Sequence, residues 1–312
     1  MHRRDFLEAS LSGLAFLGFS AEPLFRISLA EWSFHRALFS SAMSHLDFIT
    51  RARKDHGLDG VEYVNQFFMD KARDQGYLRE MIDRAQGEGV RSLLIMCDGE
   101  GDLGDPAASE RARAVENHRK WVEAAKTLGC HSVRVNARSN PDLPYEEQEK
   151  LAADGLRSLC ELADPHGVGV LVENHGGLSS NGAWLSAVMK RIAHPRIGTL
   201  PDFGNFRLRE TPEEWYDRYQ GVAELMPFAR AVSAKSHDFD DNGEETTTDF
   251  MKMMRIVLDA GYRGYVGIEY EGETLSEAQG VEKTKVLLSR VREKLGTAYP
   301  PKSPDIAIFM GL

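Results

Sequence analysis

Past residue 24 the chain alternates short, β-rich apolar runs with longer amphipathic stretches. The apolar runs occupy residues 25–30, 60–64, 91–97, 131–136, 168–173, 197–202, 231–236 and 264–269. Their centres lie roughly 35 residues apart, the length of one strand–helix unit. Gly57, Gly89, Gly129, Gly167 and Gly261 stand just before strands, as residues that end helices do. Between the runs the periodicity is helical: Trp121, Ala124, Ala125 and Leu128 make one face, and Leu151, Leu156, Leu159 and Leu162 approximate another. Pro212-Glu213-Glu214, with Thr211 as N-cap, predicts a helix start. Eight strands, each followed by a helix, predict an α/β chain folded as a single (β/α)8 barrel over residues 25–295. A doubly wound sheet would want a glycine-rich turn after its first strand, and here that strand runs into Glu31-Trp32-Ser33-Phe34-His35. Residues 296–312, with Pro300, Pro301 and Pro304, read as an extended strap.

The first 24 residues follow a different logic. Arg3-Arg4-Asp5-Phe6-Leu7, a short apolar stretch over 11–19 and then Ser20-Ala21 resemble a twin-arginine export signal. A working signal would place the protein in the periplasm or outside the cell; otherwise it is cytoplasmic. The apolar stretch is shorter than the about 20 residues a membrane-spanning helix needs, so no stable membrane association is expected. A net charge of −10, from 38 Lys+Arg against 48 Asp+Glu, argues against nucleic acid as a partner. The three cysteines show no CxxC spacing, which removes disulfide frameworks and cysteine zinc sites. Homo-oligomerisation is left open.

In a barrel the chemistry sits at the carboxyl ends of the strands. Four successive strand ends carry a potential metal ligand: Glu173, Asp202, His237 and Glu269. A carboxylate closing an apolar run must be paired, face the barrel mouth or bind a cation. Three carboxylates and one imidazole suit one divalent ion, Mn²⁺ first, with Co²⁺, Mg²⁺ or Zn²⁺ as alternatives.

Ser28-Leu29-Ala30-Glu31-Trp32-Ser33, Val172-Glu173-Asn174-His175-Gly176-Gly177, Leu200-Pro201-Asp202-Phe203-Gly204-Asn205, Lys235-Ser236-His237-Asp238 and Gly267-Ile268-Glu269-Tyr270 resemble the sugar phosphate isomerase/epimerase family. That family belongs to the xylose isomerase-like TIM barrels, with the ketose 3-epimerases and hydroxypyruvate isomerase, and the likeness covers roughly residues 25–294. It implies that Glu173 and Glu269 both bind the ion and exchange the substrate proton from opposite faces, with Asp202 and His237 as ligands only. One position departs from the epimerase branch: Asn205 stands where relatives commonly carry a histidine three residues after the metal-binding Asp, and it cannot carry a charge near neutral pH.

Further substrate contacts are expected from His175, Asn205, Lys235, Glu62, Asn136, Trp32 and His35, and the loop 97–102 reads as a lid. The leading function is a metal-dependent sugar isomerase or epimerase working through proton abstraction beside a carbonyl and an enediolate. A lyase or hydratase acting on 3-keto-glycosides uses the same intermediate. A barrel nuclease for abasic DNA and a non-catalytic sugar-binding barrel complete the alternatives. The substrate is expected to be a neutral sugar or keto-sugar rather than a phosphate ester. Residues 237–245 and 269–273 are rich in carboxylates and hold no Lys or Arg, leaving Arg207 and Arg209 as the nearby cations.

Overall fold

The computed structural model describes residues 23–299. Six strands, β1 (Arg26–Ala30), β2 (Gly60–Val64), β3 (Arg91–Met96), β4 (Ser132–Val135), β5 (Gly169–Glu173) and β6 (Ile197–Leu200), precede a small hairpin, β7 (Arg207–Arg209) and β8 (Glu214–Trp215). Then come β9 (Val232–Ser236) and β10 (Tyr265–Tyr270). The large sheet is parallel, in the order β6-β5-β4-β3-β2-β1-β10-β9. Its two ends meet through isolated parallel bridges, Thr199 with Ala229 and Asp202 with Ser233. Ser233 donates its N–H to the Pro201 carbonyl at 2.9 Å and accepts from the Phe203 N–H at 3.1 Å. The sheet therefore closes, and it closes at the end where Asp202 lies.

The eight apolar runs coincide with the eight barrel strands to within two residues at their ends. They are continuous rather than alternating because a parallel strand is covered on both faces. Outside stand α1 (His35–Phe39) and α2 (Asp47–Lys54) after β1, then α3 (Gln75–Glu88), α4 (Ala108–Leu128), α5 (Tyr145–Ala163) and α6 (Gly182–Ile192), each following one strand. After the hairpin and the last two strands come α7 (Arg218–Leu225), α8 (Phe250–Asp259) and α9 (Glu277–Leu295). On α4 the face Trp121, Ala124, Ala125 and Leu128 is buried, as its spacing predicts. Gly89 and Gly129 end their helices at φ of 65° and 75°, where a side chain would be strained. Inside the barrel Ala30, Val64, Leu94, Met96, Leu171, Leu200 and Ala231 form a separate apolar layer, with Trp32 and Phe67 packed on it. That layer seals the barrel beneath the mouth.

The predicted helix start at Pro212 is not formed. Thr211 and Pro212 lie in the connection between β7 and β8, and the helix begins six residues later, where the Asp217 carboxylate accepts from the Gln220 N–H at 2.8 Å. Thr-Pro-Glu-Glu carries the same local signals for a turn as for a helix start. The antiparallel pairing of Arg207 with Trp215 decides between them. The export-signal reading and most of the strap concern residues outside those described.

Candidate active site

Glu173, Asp202 and Glu269 come together at the carboxyl ends of β5, β6 and β10, with ligand oxygens all within 4.8 Å of one another. Each acid is already held by a neighbour. Asp202 Oδ1 accepts from the backbone N–H groups of Gly204 and Asn205, both at 2.8 Å, and its Oδ2 accepts from the Ser233 hydroxyl at 2.6 Å. Glu173 faces the Arg134 guanidinium at 2.7 Å and accepts from the Asn205 amide at 3.2 Å. Glu269 lies 2.9 Å from the Lys235 ammonium, which also reaches Glu271 at 3.1 Å. Lys235 and Ser233 share the inward face of β9, two residues apart. Gly204 leaves room for the Lys235 stem, since a Cβ there would lie 2.9 Å from its Cδ.

Below this triad Glu62 accepts from the Ser28 hydroxyl at 2.6 Å, and Gly267 supplies the space its carboxylate occupies. Four buried carboxyls, Glu62, Glu173, Asp202 and Glu269, thus face two buried cations, Arg134 and Lys235. Burial pushes Glu62, Glu173 and Asp202 up to about 7, with Arg134 opposing the rise at Glu173 and Lys235 at Asp202. Burial alone would discharge Lys235, but Glu269, Asp202 and Glu271 outweigh it and hold the ammonium charged. If all four acids ionise, the centre carries an excess of two negative charges, which protons or a divalent cation would relieve.

The triad fits such an ion. Three converging carboxylates and a serine hydroxyl form an oxygen donor set that suits a hard divalent cation better than tetrahedral zinc. His237, expected as the fourth ligand, is not part of the cluster. It is 39% exposed, and its Nε2 lies 3.8 Å from Glu271. Period two would carry position 237 onto the inward face with Ser233 and Lys235, but β9 ends at Ser236 and its alternation no longer governs His237.

Above the floor opens a cavity of about 500 Å³. Of the expected site residues, Trp32, Asn136, His175 and Glu269 line it; Glu62, Glu173, Asp202, Asn205, Lys235 and His35 do not. Glu173 is 0% exposed, whereas Glu269 is 3% exposed and opens onto the cavity. His35 stacks on Trp32 with ring centres 5.0 Å apart. His175 is held neutral, first by burial and then by Arg134 and Lys235.

Asp98, Arg134 and Glu271 also line the cavity and were missing from the expected set. Asp98 accepts from Arg134 at 2.9 Å and from Asn136 at 2.7 Å. Burial raises its pKa, but Arg134, His175 and Asn136 together bring it down to about 2. Burial is likewise outweighed at Glu271, where Lys235 keeps the carboxyl below its ordinary value.

The loop expected to act as a lid is tied to its neighbours by hydrogen bonds. Glu100 accepts from the Trp121 indole at 2.6 Å and from Lys120 at 2.9 Å, while Asn65 pairs with the Asp98 backbone. Arg207 and Arg209, the cations that could have met a phosphate, pair with Glu210 and Glu214 of their own hairpin.

The chain is thus a closed (β/α)8 barrel with buried carboxylates, a lysine and an arginine gathered at its carboxyl mouth, the end where such barrels carry their sites. The chain belongs to the xylose isomerase-like TIM barrel family, whose model matches residues 51–290. The C-glycoside deglycosidase alpha subunit of Arthrobacter globiformis is 34% identical over 93 residues, 29% of this chain and 24% of that protein. The 3'-dehydrocarminate deglycosidase alpha subunit of a Microbacterium species is 37% identical over 79 residues, 25% of this chain and 20% of that protein. The matches therefore span about a quarter or less of these relatives' length.

Among solved structures, a D-tagatose 3-epimerase-like protein superposes with a TM-score of 0.68 at 17% identity, over 88% of this chain and 99% of its own. The 3-keto-D-glucoside 4-epimerase from E. coli gives 0.64 at 15% identity, over 86% and 99%. The IOLI protein, solved with a zinc atom, gives 0.67 at 14% identity, over 86% and 99%. Among the described residues no helix is long and apolar enough to cross a membrane.

Proposed function

We propose that this barrel abstracts a proton from the carbon beside the carbonyl of a neutral keto-sugar, with Glu269 as the base. The observation that carries the reading is the asymmetry of the two glutamates. Both are paired with a buried cation, Glu269 with Lys235 and Glu173 with Arg134, but only Glu269 opens on the cavity. The family match supports sugar chemistry of the isomerase or epimerase type, or a related activity. Arg134 lines the same cavity and is held by Glu173 and Asp98, so its guanidinium is preorganised to donate to an oxyanion forming on the substrate carbonyl. Asp98, Asn136 and the neutral His175 supply acceptors and donors for hydroxyl groups. A divalent ion held by Glu173, Asp202 and Glu269 would add Lewis-acid stabilisation of the same negative charge. The carboxylate-rich mouth and the self-paired Arg207 and Arg209 support a substrate without phosphate.

With Glu269 alone of the two glutamates facing the cavity, return of the proton to the face it left, or loss of a leaving group, is favoured over inversion by the pair. The deglycosidase relatives support the second outcome. In a 3-keto-glycoside, Glu269 would take the proton from C2, the C2–H electrons would form the C1–C2 double bond, and the C1–aglycone bond would break with its electrons going to the aglycone, which takes up the proton that Glu269 then releases. An N-terminal export signal would put this reaction in the periplasm.

The test is a panel of free ketoses, ketose phosphates and 3-keto-glycosides, comparing kcat/KM for the Mn²⁺-loaded protein. Turnover of a neutral keto-sugar or keto-glycoside, reduced by 10²–10⁴-fold in Glu269→Gln, is the expected result. Preference for a phosphate ester, or full turnover by Glu269→Gln, would overturn the proposal.

A further inference from the structure

The polar chemistry of the site has no use for the aromatic lip beside it. Phe39, at the end of α1, is 58% exposed, more than any other large apolar side chain among the described residues. Its ring lies 5.1 Å from Phe67 and 6.0 Å from Trp32 in edge-on geometry, and Phe67 lies 6.0 Å from Trp32. The three rings form one contiguous patch, of a kind that marks a contact surface when it is left open to solvent.

Trp32 ties the patch to the site. It lines the cavity, and its indole hydrogen-bonds to Glu271, two residues from Glu269. His35 stacks on the indole at an interplanar angle of 16° and fixes its plane. Asp102 and Arg138 line the same cavity and add polar groups to it. The cavity of about 500 Å³ falls in the range that holds a ligand larger than one sugar ring, roughly 300–1,000 Å³. A molecule whose sugar ring rests beside Glu269 would therefore run out across Trp32 towards Phe67 and Phe39.

We infer that Trp32, Phe67 and Phe39 form a subsite for the non-sugar half of a glycoside, and that this half is aromatic. Aromatic rings prefer edge-on and offset contacts with one another, and the lip offers both. The inference rests on the sugar ring lying at Glu269, as in the function proposed above, but its test does not require turnover.

The experiment is calorimetric binding of phenyl and methyl β-D-glucoside, which lack the keto group, to the full-length protein. The wild type is expected to bind the phenyl glucoside about tenfold more tightly than the methyl glucoside. Phe39→Ala and Phe67→Ala are expected to bring that ratio down to about twofold or less. Phe39 is exposed, so its variant keeps the fold. A wild-type ratio near one, or a ratio unchanged in both variants, overturns the inference. So does a Phe39→Ala protein that changes oligomeric state by light scattering while keeping the ratio, since the lip is then an interface between copies. Aromatic preference without proton exchange on keto substrates would sink the proposed reaction and leave the subsite standing.

Discussion

Replacing Arg134 with methionine tests the electrostatic construction of the site floor. The guanidinium lies 2.7 Å from Glu173 and 2.9 Å from Asp98, and it is almost fully buried. Methionine has a similar reach and no charge, so the substitution leaves Glu173 buried without its cation. Breaking a buried pair by removing one partner costs about 3–5 kcal/mol. For a chain larger than 250 residues, each kcal/mol lowers Tm by roughly 2–4 °C or less, so a fall on the order of 10 °C is expected at pH 8.

The cost is smaller in acid, because a proton on Glu173 removes the uncompensated charge. Burial already holds that carboxyl near 7 with Arg134 in place, and without Arg134 it lies higher still. The destabilisation should therefore shrink as pH falls from 8 to 6. Adding Glu173→Gln to the variant should recover much of the loss, since both charges are then gone. Thermal unfolding of the wild type, both single variants and the double variant at the two pH values completes the cycle. An Arg134→Met protein as stable as the wild type at pH 8 would falsify the claim that the pair holds the floor.

Three further outcomes are expected. His237→Ala should bind one Mn²⁺ per chain with an affinity within a few-fold of the wild type, whereas Asp202→Asn should lose it by at least tenfold; elemental analysis after gel filtration reads both, and an empty His237→Ala site would return the imidazole to the ligand set. Burial lowers the His45 pKa from its ordinary 6.5 to about 3, so its neutral form contributes stability above pH 6.5 that is lost as pH falls towards 3. The stability of His45→Phe relative to the wild type should accordingly rise as pH drops from 7 to 4, and a constant difference across that range contradicts the assignment. Trp121→Ala removes a fully buried ring and the donor that fixes Glu100, so it should cost roughly 3–5 kcal/mol and loosen the cavity wall, read by denaturant unfolding and by proteolysis within 97–104.

The barrel was legible in the sequence because buried parallel strands are continuous apolar runs, and eight of them at even spacing leave few alternatives. The three carboxylates were legible for a related reason: each is the polar residue that ends an apolar run. Arg134 was not, because its role depends on β4 lying beside β5, with Arg134 opposite Leu171 and Glu173 just beyond. No local pattern carries a register between strands 35 residues apart. The charged residue between Val133 and Val135 was the available signal, since an arginine in a buried strand needs a partner. His237 continues the inward parity of Ser233 and Lys235, but β9 ends at Ser236, so the sequence pattern alone does not bring the imidazole to the three carboxylates. The anchoring of the 97–102 loop was not legible, because the indole that holds Glu100 belongs to Trp121, 21 residues further along the chain on α4.

The central claim is that Glu269 removes a proton from carbon. Incubating the Mn²⁺-loaded protein with a 3-keto-glucoside in D₂O and following the carbon next to the carbonyl by NMR tests it most directly. The account predicts deuterium at that carbon or in the product derived from it with the wild type, a loss of 10²–10⁴-fold in the rate with Glu269→Gln, and no inverted epimer in excess of the exchanged substrate. Undiminished exchange by Glu269→Gln, or inversion as fast as exchange, would contradict it.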